Sequence, residues 1–249
     1  MNAGYRAIAD ALRTEIDAGR LPPGSKLPSE NELMAAYEVE QPTARRALEV
    51  LKNEGLIVAR RGAGTFVREF RLYRRSSPAR LAESGWGAGR SVWQSDDAKR
   101  DTRVDGIEVT VADAPDHVAA VLDLRAGEKV VVRRRRYLVD DAPVQFATSY
   151  YPAPLVRDTR IAEADTGGGG VYARLAEVGH KPVHFREELR ARMPREAEAK
   201  VLDLTQGTPV IVVVRTAYTA EGRAVEVNEM TLDASAYILE YAFSSEESS

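Results

Sequence analysis

Residues 21–67 read LPPGSKLPSENELMAAYEVEQPTARRALEVLKNEGLIVARRGAGTFV, and the order of local signals in this stretch decides the fold. Leu21-Pro22-Pro23-Gly24 is a turn sequence. Ser29 followed three residues on by Glu32 is a capping box, so a helix opens there with Leu33 and Tyr37 facing a core. Pro42 suits the first turn of a further helix, where the N–H it lacks has no partner anyway. Ala44, Ala47, Leu48 and Leu51 then recur at helical spacing, and Gly55 closes the helix. Leu56-Ile57-Val58 and Thr65-Phe66-Val67 predict two short strands, joined by the basic hairpin Arg60-Arg61-Gly62-Ala63-Gly64.

Upstream, Tyr5, Ile8, Ala9, Leu12 and Ile16 form one apolar helical stripe that ends at Gly19. Three short helices and a two-stranded wing predict a winged helix-turn-helix over residues 1–68. In such motifs the N-terminal part of the last helix enters the major groove of DNA. Its outward residues here are Gln41, Thr43, Arg45 and Arg46, and the wing arginines can reach phosphate or the minor groove.

This stretch resembles the DNA-binding domain of GntR-family repressors, and the resemblance covers nearly all of residues 4–68. It implies DNA contacts by Ser29, Glu30 and Asn31 at the second helix, Thr43 and Arg45 in the third, and Arg61 and Gly62 in the wing. The chain departs from the family at Glu40-Gln41, where Ser or Thr followed by Arg is usual. Losing that arginine removes a guanine reader, whereas Gln41 pairs better with adenine. Glu40 suits the positive end of the helix dipole but is repelled by phosphate. A changed operator is therefore expected.

The 249 residues accommodate two domains. No apolar run reaches the roughly 20 residues of a membrane span, and MNAGYRAIAD lacks a signal-peptide core, so a cytoplasmic protein is expected. With no cysteine, disulfides, thiolate catalysis and cysteine metal sites are excluded. Met1 to Ser77 holds 13 Lys+Arg against 10 Asp+Glu, leaving 22 against 28 for the rest. A basic head on an acidic body fits phosphate contact by the head alone.

Residues 69–80 mix basic residues with Ser-Ser-Pro and read as a linker. Trp86 and Trp93 follow in a Gly/Ser-rich stretch, suited to lidding a pocket or packing on a sheet. From Val104 onward an internal repeat emerges. Val-Leu-Asp-Leu recurs at Val121 and Val201, glycine at Gly127 and Gly207, and arginine at Arg135 and Arg215. Each unit reads as helix, long strand, tight turn and returning strand. Two such units can share one antiparallel sheet, with helices on one face and a pocket between the halves.

Placed behind this head, residues 81–243 resemble the UTRA domain, the effector-binding and dimerisation module of the HutC subfamily, whose fold is similar to chorismate lyase. The fold class expected is α+β, with a polar, acidic, disordered tail over residues 244–249. The family's pocket pattern has an arginine, a second basic residue two places on, and a carboxylate on the returning strand. These positions fall on Arg135, Tyr137 and Ala147. The family's Ser-x-Tyr becomes Gly170-Val171-Tyr172, and the glutamate of its Pro-Val-Glu is Glu226.

The ligand residues expected are thus Arg135, Tyr137, Tyr172 and Glu226; Tyr150, Tyr151 and Asn228 can either pack or line the pocket, and Asn228 is counted with the ligand residues. Arg135 can grip a carboxylate or phosphate in bidentate fashion, or serve as a structural ion-pair partner. Glu226 can accept from a ligand or orient Arg135. Tyr137 puts an aromatic face where a charge is usual, favouring a flatter or less anionic ligand over sugar phosphates. The effector expected is a small anionic or aromatic metabolite. On the strand, Arg134 and Arg136 face the opposite way and are expected to be solvated or paired. Pro182 between His180 and His184 prevents a helical metal pair, and Gly167–Gly170 lacks the Gly-Lys-Ser/Thr of a phosphate loop and reads as a connection.

A ligand-responsive regulator follows, expected to repress, to act as a homodimer on a palindromic operator and to need no cofactor. The alternatives are an enzyme of chorismate-lyase type fused to a winged helix, or an architectural DNA binder with a vestigial pocket. The enzyme needs an acid/base or nucleophilic constellation that Arg135 and Glu226 alone do not specify.

Overall fold

The computed structural model describes residues 4–70, 72–76, 80–82 and 101–242. Trp86, Trp93 and the tail from Ser244 lie outside the described residues. The chain is α+β and forms two compact units, Met1–Arg71 with Leu204–Thr208, and Leu72–Asp203 with Pro209–Ser249.

In the first unit, α1 (Tyr5–Asp17), α2 (Glu30–Tyr37) and α3 (Gln41–Asn53) precede the antiparallel pair β1 (Ile57–Arg60) and β2 (Gly64–Val67). The Ser29 hydroxyl accepts from the Glu32 N–H, and the Glu32 carboxylate accepts from the Ser29 N–H over 2.7 Å, so the expected capping box closes. Gly55 follows α3 with φ of 73°, a left-handed conformation that favours glycine. The apolar stripes meet in one core containing Ile8, Ala9, Leu12, Leu33, Ala44, Ala47, Leu48, Leu51, Ile57 and Val67. Burying such stripes against one another stabilises short helices that are marginal alone.

The second unit is built on a six-stranded antiparallel sheet ordered β4-β5-β6-β9-β8-β7. Its strands are β4 (Thr102–Asp113), β5 (Lys129–Val139), β6 (Ala142–Pro152), β7 (His184–Arg192), β8 (Val210–Tyr218) and β9 (Ala224–Asp233). The internal repeat is visible in the order of elements. Helix α4 (Asp116–Val121) leads into β5 and β6, and a matching helix, Glu196–Val201, leads into β8 and β9. The two hairpins join through their returning strands, with Thr148 opposite Glu229.

Alternation of side chains gives the sheet two faces. One carries Val130, Val132 and Val227 against Val118 and Leu122 of the α4 region. The other carries Val131, Tyr151 and Ala217 under Tyr172 and Leu175 of a helix spanning Gly170–Glu177. Further along that face, Tyr137, Val213 and Met230 pack against Tyr73 and Tyr237. Tyr73 belongs to β3 (Tyr73–Ser76), which pairs in parallel with β10 (Tyr237–Glu240). The stretch expected as a linker therefore contains a strand, and its Arg75 side chain is wholly buried. No helix among the described residues is long and apolar enough to cross a membrane.

Candidate functional site

On the head, Ser29 stands exposed as the cap of α2, beside half-buried Glu30 and exposed Asn31. Glu30 accepts from Gln41 Nε2 over 2.9 Å and from Arg45 through Nε at 3.3 Å and Nη2 at 3.4 Å. The hydrogen bonds from Gln41 and Arg45 hold the Glu30 carboxyl below its usual range. Three residues expected at DNA are thus one preorganised network spanning two helices. Thr43 is half-buried in the first turn of α3. Arg46 leans back on α1, its guanidinium carbon 4.1 Å from the Tyr5 ring centroid. Arg61 and Gly62 occupy the exposed turn between β1 and β2, outside the network, and Gly62 has φ of 72°.

On the second unit, Arg135, Tyr137, Tyr172, Glu226 and Asn228 all line one cavity of about 360 Å³. Strand register explains the convergence. Arg133, Ser149, Asn228, Arg215 and Glu187 lie directly opposite one another in a row across five strands. Arg135 sits one row along, opposite Ala147, with Met230 beyond. A polar row in the middle of an otherwise apolar sheet face costs stability unless its members are paired or serve a ligand.

The members differ in how fully they are paired. Arg133 donates to the carbonyls of Ile161, Glu163 and Ala164, and so pins the segment that leads to the Gly170–Glu177 helix. Burial lowers its pKa. Arg135 donates to Ser149 Oγ through Nη2, while its Nε has no hydrogen-bond partner among the described residues. Arg215 Nε and Nη1 and Asn228 Oδ1 are buried and without a hydrogen-bond partner among the described residues. Burial opposes the Arg215 charge, but Tyr172, Glu226 and Glu187 outweigh it and raise its pKa. Burial likewise opposes Arg135, and Tyr137, Tyr151 and Glu226 raise it, so both cations stay charged.

Glu226 is already engaged. It accepts from Tyr151 Oη over 2.5 Å at one oxygen and from Tyr172 Oη over 2.8 Å at the other. Burial, with the Glu226 charge adding to it, pushes both phenols well above their usual pKa. Its carboxylate thus fixes two aromatic walls. Thr166, Gly169, Gly170 and Val171 line the cavity as well, so the glycine run read as a connection forms part of its wall. Arg134 and Arg136 pair across β4 with Glu108 at 3.2 Å and Asp105 at 2.8 Å, on the opposite face. Sequence reasoning missed Arg215 and Gln145 as lining residues. The repeat that equates Arg135 with Arg215 was the signal for the first.

Residues 4–67 match the bacterial regulatory proteins of the gntR family, and residues 97–238 match the UTRA domain. The chain is 32% identical over 232 residues to an HTH-type transcriptional regulator of Streptomyces coelicolor, covering 89% of this chain and 86% of that protein. It is 26% identical over 223 residues to the HTH-type transcriptional repressor NagR of Bacillus subtilis, covering 89% and 87%. A crystal structure of a GntR-family transcriptional regulator superimposes with a TM-score of 0.69 at 28% identity, covering 97% of this chain and 98% of that one. The chain therefore belongs to the GntR family of transcription regulators, with a helix-turn-helix head and the effector-binding UTRA domain of the HutC architecture.

Proposed function

We propose that the protein is a homodimeric repressor whose hold on a palindromic operator is set by a small organic anion in the UTRA cavity. The observation that carries the anion is the pair Arg135 and Arg215, which line one cavity with guanidinium nitrogens that have no hydrogen-bond partner among the described residues. Bidentate capture of carboxylate or phosphate satisfies such donors. The positive end of the Gly170–Glu177 helix adds to the same field. Tyr137 and Tyr172 supply flat apolar walls, which favours an acid with a planar or compact body. This replaces the less anionic ligand expected from Tyr137 alone, because Arg215 supplies the charge that Tyr137 does not.

At the operator, Gln41 and Arg45 are the base readers in this reading, with Thr43 beside them. Ser29, Asn31, Arg61 and Gly62 meet the backbone. Two heads on a dimer read half-sites about one helical turn apart. The repressor sense follows the name of the Bacillus subtilis relative. Glu226, with one phenol on each carboxylate oxygen, supports a wall-building role for this carboxylate, and so binding over chemistry.

Fluorescence anisotropy on duplex DNA from upstream of the protein's own gene, at fixed salt, tests the operator half. Specific binding lost in Arg45→Ala is expected, whereas equal binding to random duplexes contradicts it.

A further inference from the structure

Glu187 stands at the far end of the polar row, opposite Arg215, and among the described residues it meets the cations Arg75 and Arg215. Its Oε1 lies 2.6 Å from Arg75 Nη2 and 3.9 Å from Arg215 Nη1. Its Oε2 accepts from Tyr241 Oη over 3.0 Å. The Arg75, Glu187 and Arg215 side chains are all buried, at 0%, 6% and 6% exposure. Arg215 lines the cavity. Arg75 lies on β3, whose first residue comes two positions after the last residue of the first unit's main segment. Arg75 Nη1 also lies 3.6 Å from Met230 Sδ, and Met230 lines the same cavity.

One carboxylate oxygen between two buried guanidinium groups is a shared resource. In low dielectric the attraction to each cation depends on what else neutralises that cation. When the cavity holds no anion, Arg215 draws on Glu187 from one side and Arg75 from the other. A bound anion supplies Arg215 with a counter-charge of its own.

We propose that Glu187 transmits the occupancy of the cavity to strand β3: an anion that neutralises Arg215 leaves the Glu187 carboxylate to Arg75 and tightens β3 on the sheet. β3 is where the chain enters the second unit from the head. Glu187 and Arg75 are positioning residues in this scheme, touching neither DNA nor ligand. The inference rests on the reading that the cavity takes anions, and the test separates the two.

The full chain is titrated with inorganic phosphate and, separately, with benzoate. Binding is followed by calorimetry and amide hydrogen exchange is followed at residues 73–76. Wild type is compared with Arg215→Lys, Glu187→Gln and the double variant Arg75→Met/Glu187→Gln. The double variant removes one positive and one negative charge together, so Arg75 is not stranded, and Arg215 keeps the field of Glu226. Saturation in wild type, weakened at least about tenfold in Arg215→Lys, is expected for the cavity. Exchange at β3 slows about threefold or more on saturation in wild type. It stays unmoved in the Glu187→Gln and double variants, although these still bind the anion. Saturation with β3 exchange unchanged in wild type, or slowed equally in the Glu187 variants, overturns the relay alone. No Arg215-dependent saturation by either anion overturns the anion reading and the relay with it.

Discussion

The Tyr172 hydroxyl donates to Glu226 over 2.8 Å, joining a helix to β9, one of the two central strands of the sheet, across 54 positions of sequence. With Tyr151 on the other carboxylate oxygen, Glu226 organises the cavity wall from beneath. The carboxylate lies between the two phenols and within the field of Arg135 and Arg215.

Removing this carboxylate strands polar groups. Glu226→Ala leaves two buried phenols without their acceptor and is expected to destabilise the second unit by roughly 2–5 kcal/mol. Glu226→Gln keeps one carbonyl acceptor and is expected to cost less. Urea unfolding of both variants checks the order, and equal stability of Glu226→Ala and wild type contradicts it.

The same bonds set an alkaline limit. The Tyr151 and Tyr172 phenols have folded pKa values raised above the unfolded value of about 10. The folded state therefore binds protons more tightly, and its stability is full below pH 10 and falls as pH rises beyond it. Tyrosinate absorbance followed through the titration is expected to show a late fraction that ionises only as the protein unfolds. Phe at both positions removes that fraction; a late fraction of unchanged size in the double variant contradicts the assignment.

At the head, Glu30 restrains Arg45 in the free protein. Arg45→Ala is expected to lower specific affinity by about 1–3 kcal/mol, the worth of one bidentate base contact. Glu30→Gln removes a charge that repels phosphate and frees Arg45, so affinity rises on duplexes of every sequence while discrimination narrows. Arg46→Ala, which breaks a stack on Tyr5, is expected to leave sequence preference unchanged. Anisotropy with specific and scrambled duplexes separates the three.

The cap of α2 gives a further check. Ser29→Ala removes the acceptor for the Glu32 N–H and is expected to lower stability of the head by about 1 kcal/mol, read by thermal unfolding.

The head was legible in the sequence because its signals are local. A capping box, an early proline, a glycine at φ of 73° and stripes three and four apart each act within one or two turns. The cavity was half legible. Arg135, Tyr137, Tyr172 and Glu226 came from likeness to a family, Asn228 from a choice between packing and pocket lining, and all five line one cavity. Their partners did not follow, because Tyr151 meets Glu226 through strand register across 75 positions, and Arg75 meets Glu187 across 112 positions from a strand of a different sheet. β3 stayed hidden for a related reason. Tyr73-Arg74-Arg75-Ser76 has no apolar alternation, and its pairing partner lies at residues 237–240. The repeat did equate Arg215 with Arg135, but equivalence alone does not say that both side chains reach one cavity.

The most direct test of the central claim is release of the protein from its operator by organic anions. A panel of small carboxylates and phosphate esters is added to the wild-type complex under anisotropy, with Arg215→Lys in parallel. The account predicts that at least one anion, recovered chemically unchanged, shifts operator affinity by a coupling of about 1–3 kcal/mol, and that Arg215→Lys binds the same duplex but no longer responds. An anion consumed by the protein, or a response undiminished in Arg215→Lys, contradicts it.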